Sequence, residues 1–156
     1  MDQQNSTGTI SLSSRAFDDN AAIPAKFTCK GENINPALNI SGIPDGAQSL
    51  ALIMHDPDAV GGDWVHWLAW NIPASTNEIS ENSVPADAVE GMTSFGKPGW
   101  GGPCPPAGTG THHYIFELYA LDTKLNLGPS SGRDQLENAM QGHVLGQATL
   151  TGMFGG

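Results

Sequence analysis

"GGPCPPAGTGTHHYIFELYALD", residues 101–122, falls into two halves of opposite character. Residues 101–110 are mostly glycine and proline, the composition of a stiff, irregular turn. From Thr111 onward polar and apolar residues alternate, the two-residue period of a half-buried strand. Residues two apart share a face of a strand, about 6.8 Å from one another. His112 and Tyr114 therefore point one way, with Phe116 and Leu118 continuing that face inward. His113 points the other way with Ile115 and Glu117, so the tandem histidines cannot both serve one site. His113 reads as structural, paired with backbone or with Glu117.

The same reading extends outward. Alternating runs at 9–14, 37–41, 49–55, 64–72, 113–121 and 147–154 are bounded by Gly, Pro, Asn and Asp, which predicts antiparallel strands. One helix is predicted near 132–141, opened by Ser131 with Asp134 three residues on and stopped by Gly142. Residues 77–97 read as a long irregular segment, and long loops in compact domains often carry function. Many strands with one late helix predict an all-β-dominated single domain over 1–156, with 1–8 a flexible N-terminus.

With 156 residues the chain can bury its own core. Six basic residues against 16 acidic ones give a formal net charge of −10, without a basic cluster. Nucleic acid and anionic membrane surfaces both need such a cluster, so neither is an expected partner. No apolar run approaches the roughly 20 residues of a membrane span. "MDQQNSTGTISLSS" lacks the basic and apolar regions of a signal peptide, so a cytoplasmic chain is expected. For Cys29 and Cys104 two buried thiols are expected, with a disulfide as the alternative.

Parity also sorts the remaining polar residues. Leu50, Leu52, Met54 and Asp56 share a face, and so do Trp64, His66, Leu68, Trp70 and Ile72. If these strands are neighbours, Asp56, His66, His112 and Tyr114 converge at one mouth. Each also has a plainer reading: Asp56 before Pro57 starts turns, His66 suits a hydrogen-bonded core histidine, and Tyr114 suits a core position. Together, imidazole, phenol and a glycine-rich turn can hold a small phosphate or carboxylate without Lys or Arg. A His–Asp contact favours the cationic, anion-binding ring. Zinc is the competing reading of three histidines and an aspartate, but neither a His-x-His pair on one strand nor H-E-x-x-H is present. G-x-S-x-G is also absent, and "GKPGWGGPC" lacks the ending of a phosphate-binding loop.

"HDPDAVGGDWVHWLAWNIP", "GKPGWGGPCPPAGTGTHHYIFELYALD" and "FTCKGENINPAL" occur in the chain at 55–73, 96–122 and 27–38. Together they resemble the phosphatidylethanolamine-binding protein family, also called Raf kinase inhibitor protein-like, in its short bacterial and archaeal branch. The resemblance implies an antiparallel Greek-key β-sandwich of two sheets, with one or two short peripheral helices and a small anion pocket at one end. Position by position it implies Asp56 for the "DPDA" aspartate, Trp64 and His66 for W-x-H, Gly102, Cys104 and Pro106 for the rim, and His112 and Tyr114 for H-x-Y. Val60 stands where the family usually has a proline. The function implied is a non-enzymatic binding or regulatory protein for an anionic ligand such as phosphate, phosphoethanolamine or a carboxylate, with no cofactor and no metal. The alternatives are an interaction protein that inhibits a kinase or protease, and a metal- or His/Asp-dependent phosphoester hydrolase. The short branch also suggests a homodimer.

Overall fold

A computed structural model of the chain describes residues 9–155; the N-terminal expectation for 1–8 lies outside them. Nine strands and one α-helix follow in the order β1 (Ser11–Ser13), β2 (Ala21–Ala22), β3 (Leu38–Ser41), β4 (Ser49–Asp56), β5 (Trp64–Pro73), β6 (Glu78–Ile79), β7 (Val89–Glu90), β8 (Thr111–Leu121), α1 (Arg133–Met140) and β9 (Val144–Gly155). They form a three-stranded sheet, β1-β3-β6, and a six-stranded sheet, β2-β9-β8-β4-β5-β7. The expectation of wholly antiparallel sheets is corrected at one edge, where β2 runs parallel to β9. Two residues of strand are too short to leave a period in the sequence, so β2, β6 and β7 were not foreseen. The segment 77–97 is accordingly tied into both sheets, through β6 on β3 and β7 on β5.

The central strands read as they do because both of their faces are covered. Every residue of β4 is buried. On one side Leu50, Leu52 and Met54 join Phe116 and Leu118 against Leu38, Ile40 and Ile79 of the small sheet. On the other, Ala51 and Ile53 join Leu68 and Trp70 under Leu136 and Met140 of α1. Each fully buried large side chain contributes roughly 1.5–3 kcal/mol. The helix starts one residue later than its expected cap. Gly132 is the N-cap, and its amide donates to Gln135 Oε1 at 2.9 Å, so the Ser131–Asp134 box does not form.

Strand β5 departs from simple alternation. Leu50 and Leu52 of β4 face Ile72 and Ala69, and Met54 and His55 face Trp67 and Val65. Each step carries one extra residue on β5, which is a β-bulge. The expected face Trp64, His66, Leu68, Trp70, Ile72 is therefore wrong in its middle. The bulges place Trp67, Ala69 and Ile72 toward the small sheet, and Leu68 and Trp70 toward α1.

Trp67, Ala69 and Ile72 thus belong to one core, and Leu68 and Trp70 to the other. A bulge is set by local backbone geometry and cross-strand pairing, which hydrophobic alternation alone does not encode.

Asn71 sits at the second bulge with φ 55°, in the left-handed region, and its side chain holds Leu125 twice. Its Nδ2 donates to the Leu125 carbonyl at 2.8 Å and its Oδ1 accepts from the Leu125 amide at 2.8 Å. Asn71→Ala removes both bonds and puts a less tolerant residue at positive φ, an expected loss of about 3 kcal/mol. Asn71→Gly restores the backbone tolerance and should lose less. Chemical denaturation of the two variants checks the order, and equal stabilities would contradict it.

Candidate functional site

Strand β4 lies between β5 and β8, so its C-terminal Asp56 is brought beside residues from both neighbours. Asp56, His66 and His112 are all buried, and they meet at one end of the large sheet. There they line a pocket of about 220 Å³ together with Ala59, Val60, Trp64, Phe95, Cys104, Pro105 and Pro106. Polar groups form part of this lining, and the rest is aromatic, aliphatic or proline surface. Gly102 and Tyr114 belong to the surroundings and do not line it.

Each polar group has a defined partner. Asp56 Oδ1 accepts from the Asp58 amide at 2.8 Å, and Oδ2 pairs with His112 Nδ1 at 2.7 Å. The turn reading of Asp56 therefore holds for one oxygen, while the other faces His112. Thr109 Oγ1 lies 2.7 Å from the Pro106 carbonyl and 3.0 Å from His112 Nε2. His112 is thus met at both ring nitrogens, Nδ1 by the Asp56 carboxylate and Nε2 by the Thr109 hydroxyl. His66 Nδ1 donates to the Gly101 carbonyl at 2.6 Å. Burial holds the His66 ring below the usual histidine range, against the opposing pull of the Gly101 carbonyl and of Asp56. The neutral ring then carries its free lone pair on Nε2.

Tyr114 lies beneath both histidines. Its ring packs edge-on to His66 with centroids 5.3 Å apart, and lies nearly parallel to His112 at 6.3 Å. The hydroxyl is buried and has no hydrogen-bond partner among the described residues. Burial, then the nearby Asp56 charge, pushes the phenol above its ordinary range, so it stays protonated. His113 faces away as its parity requires. Its partner is Asp58 rather than backbone or Glu117 as expected, with both its amide and its Nδ1 2.8 Å from Asp58 Oδ2.

The rim is sewn to the rest of the protein. The Gly101 amide donates to the His66 carbonyl, and the Trp100 indole donates to the Phe27 carbonyl. The Gly102 amide donates to Asn33 Oδ1 at 2.9 Å, and a Cβ at Gly102 would lie 2.3 Å from both that oxygen and the Phe27 carbonyl oxygen. Cys29 and Cys104 form a disulfide across a sequence separation of 75, which corrects the expectation of two buried thiols. Both cysteines are also exposed. Nothing in their spacing indicates that the loops around 29 and 104 meet.

Phe95 is the main site residue that sequence reasoning missed. It packs edge-on against Trp64 and His66, with centroids 5.5 and 5.3 Å away. The turn that carries it is fixed by the Ser94 amide on the Val65 carbonyl, and by the Val65 amide on Ser94 Oγ at 2.8 Å. Thr109 and Pro105 were missed as well. Their only signal was membership of the Gly-Pro segment.

The family model for phosphatidylethanolamine-binding proteins matches residues 13–155. The chain belongs to the phosphatidylethanolamine-binding protein family. Among relatives of this family, a UPF0098 protein of Pyrococcus horikoshii is 48% identical over 148 residues, covering 90% of this chain and 74% of its own. LppC of Mycobacterium tuberculosis, named as a candidate lipoprotein, is 44% identical and covers 94% of this chain and 73% of its own. A crystal structure of a phosphatidylethanolamine-binding protein homologue from Chlamydia trachomatis aligns with TM-score 0.89 at 36% identity, covering 94% of this chain and 97% of its own. Escherichia coli YbcL aligns with TM-score 0.87 at 30% identity, covering 93% and 97%. Among the described residues no helix is long and apolar enough to cross a membrane.

A second polar cluster stands behind this pocket, on the α1 side of the sheet. His55 Nδ1 lies 2.8 Å from Asp63 and its Nε2 3.3 Å from Glu117, while Arg133 bonds Asp63 at 2.8 Å. His55 and Asp63 directly precede Asp56 and Trp64, so the cluster braces the two strand ends that carry the site. Burial pulls the His55 ring down, but pairing with the Glu117 and Asp63 carboxylates outweighs it and holds the ring above the ordinary histidine range. The His55 hydrogen bond in turn holds Glu117 below its ordinary range.

A raised histidine stabilises the fold fully below its unfolded value, about 6.5, and loses that contribution as pH rises through its folded value. The lowered carboxylates contribute above roughly pH 4 and lose it as pH falls. The stability gap between wild type and His55→Gln should therefore be widest near pH 5 to 6.5 and narrow toward pH 8.5. Denaturation across that range checks it, and a gap independent of pH would contradict it.

Proposed function

We propose that the protein is a non-enzymatic binding protein whose pocket takes a small phosphate-like headgroup. The observation that supports this most strongly is the pairing at the pocket's polar end. His112 Nδ1 is held by the buried Asp56 carboxylate, and among the described residues its outer Nε2 meets only Thr109, a hydroxyl on an exposed loop. An anion that displaces Thr109 would take a hydrogen bond from Nε2–H of the protonated ring. The Asp56 charge, which would otherwise repel an anion, is engaged by His112 and by the Asp58 amide.

His66 has a different part from the one expected of it. With Nδ1 committed to Gly101 and the ring held neutral, Nε2 accepts. One donor beside one acceptor complements a singly protonated phosphate, which offers both an O–H and bare oxygens. Trp64, Phe95 and Pro106 would then wall whatever the phosphate is attached to.

Calorimetric titration with inorganic phosphate and with phosphoethanolamine tests the reading. His112→Ala is expected to weaken both by about tenfold or more, the size of a charge-assisted hydrogen bond. Phosphoethanolamine should also bind less well at pH 8 than at pH 6, because a phosphomonoester loses its second proton near pH 6. Equal affinity of wild type and His112→Ala would overturn the assignment. Tighter binding by phosphoethanolamine than by phosphate would favour a lipid headgroup over the free ion.

A further inference from the structure

We propose that the Cys29–Cys104 disulfide is a thiol-exchange site whose redox state sets the shape of the neighbouring pocket. For its binding arm the proposal rests on the phosphate reading above. Three observations carry it: both bonded residues are exposed, one of them lines the pocket, and the segment the bond holds has few other ties.

Exposure decides reactivity. Exchange needs a thiolate to reach one sulfur, and exposed disulfides are the labile ones. Both cysteines are exposed in the folded chain, so attack does not require the sheets to open. The chain holds only these two cysteines, so no reshuffling partner exists within it. The co-reactant is a small dithiol. Its first thiolate forms a mixed disulfide with one cysteine as the protein S–S bond breaks, and the other cysteine leaves as a thiolate. The second thiol of the reductant then displaces the protein sulfur. Two electrons pass to the protein, which ends with two thiols, and the reductant ends as a disulfide.

Position decides the consequence. Upstream of Cys104 the rim is held by amide bonds: Gly101 to the His66 carbonyl, Gly102 to Asn33, and the Pro103 carbonyl to the Cys29 amide. Downstream, Pro105 and Pro106 have no N–H to donate. Among the described residues no hydrogen bond reaches residue 104 or 105, so the disulfide is the last cross-link before the pocket wall. The Pro106 carbonyl in turn orients the Thr109 hydroxyl that meets His112 Nε2. The cystine therefore stands at the head of a short chain of contacts, through Pro106 and Thr109 to the His112–Asp56 pair. Reduction frees that wall, and a pocket that must be ordered on binding binds more weakly.

Treatment of the native protein with dithiothreitol, read three ways, tests this. Alkylation followed by mass spectrometry should count two new thiols while amides of β4 and β8 stay protected from hydrogen exchange. The Cys29 and Gly102 amides should exchange about tenfold faster or more, and phosphate affinity should fall by about tenfold. The Cys29→Ser/Cys104→Ser double variant should behave as the reduced protein does. Thiols that appear only when the sheet amides also exchange would overturn the proposal, and so would unchanged rim amides. Equal phosphate affinity of oxidised and reduced protein would overturn it too. Should the oxidised protein bind no phosphate at all, the binding reading fails by itself, and the exchange pattern alone decides for or against the switch.

Discussion

The hydrogen bond from His112 to Asp56 is the contact through which the rest of the site is arranged. It joins the ends of two neighbouring strands, β4 and β8, at a depth where neither partner is exposed. A buried carboxylate is costly unless paired, and here one oxygen meets an imidazole and the other a backbone amide. Once Asp56 is fixed, the ring of His112 has one direction left for its second nitrogen. That direction is toward the exposed Thr109 loop and the pocket.

The walls follow from different physics. On one side, the bulge at His66 lets two consecutive residues, His66 and Trp67, both turn toward the same sheet face, where Trp67 packs into the core and His66 into the pocket. Phe95 completes that side by edge-on packing. On the other side, glycine gives close approach, proline gives stiffness, and a covalent bond substitutes for the amides that proline lacks. A rim built this way is pre-ordered, which lowers the entropy lost on binding. It also concentrates its integrity in one exposed disulfide.

Much of this was legible in the sequence, and what was not has identifiable causes. The alternation after Thr111 separated His112 from His113, and the structure buries the first and exposes the second. Alternation failed on β5 because bulges insert residues that no hydrophobic pattern marks. The partner of His113 was misassigned because Asp58 approaches from a neighbouring turn, outside strand parity. The disulfide was misjudged because a separation of 75 residues carries no geometry. Phe95 escaped because an aromatic residue in an irregular segment has no period to read. Local rules found what a single strand dictates, and missed what two loops decide by meeting.

The central claim is that the pocket at the Asp56–His112 pair is an anion site. Crystals of the oxidised protein soaked in arsenate offer the most direct view, because arsenate keeps a proton as phosphate does and arsenic locates the anion by its anomalous scattering. The account expects a peak inside the pocket, within hydrogen-bond distance of His112 Nε2, with the Thr109 hydroxyl turned away from the ring. A pocket without a peak, or arsenate bound only elsewhere with Thr109 still on His112, would contradict it.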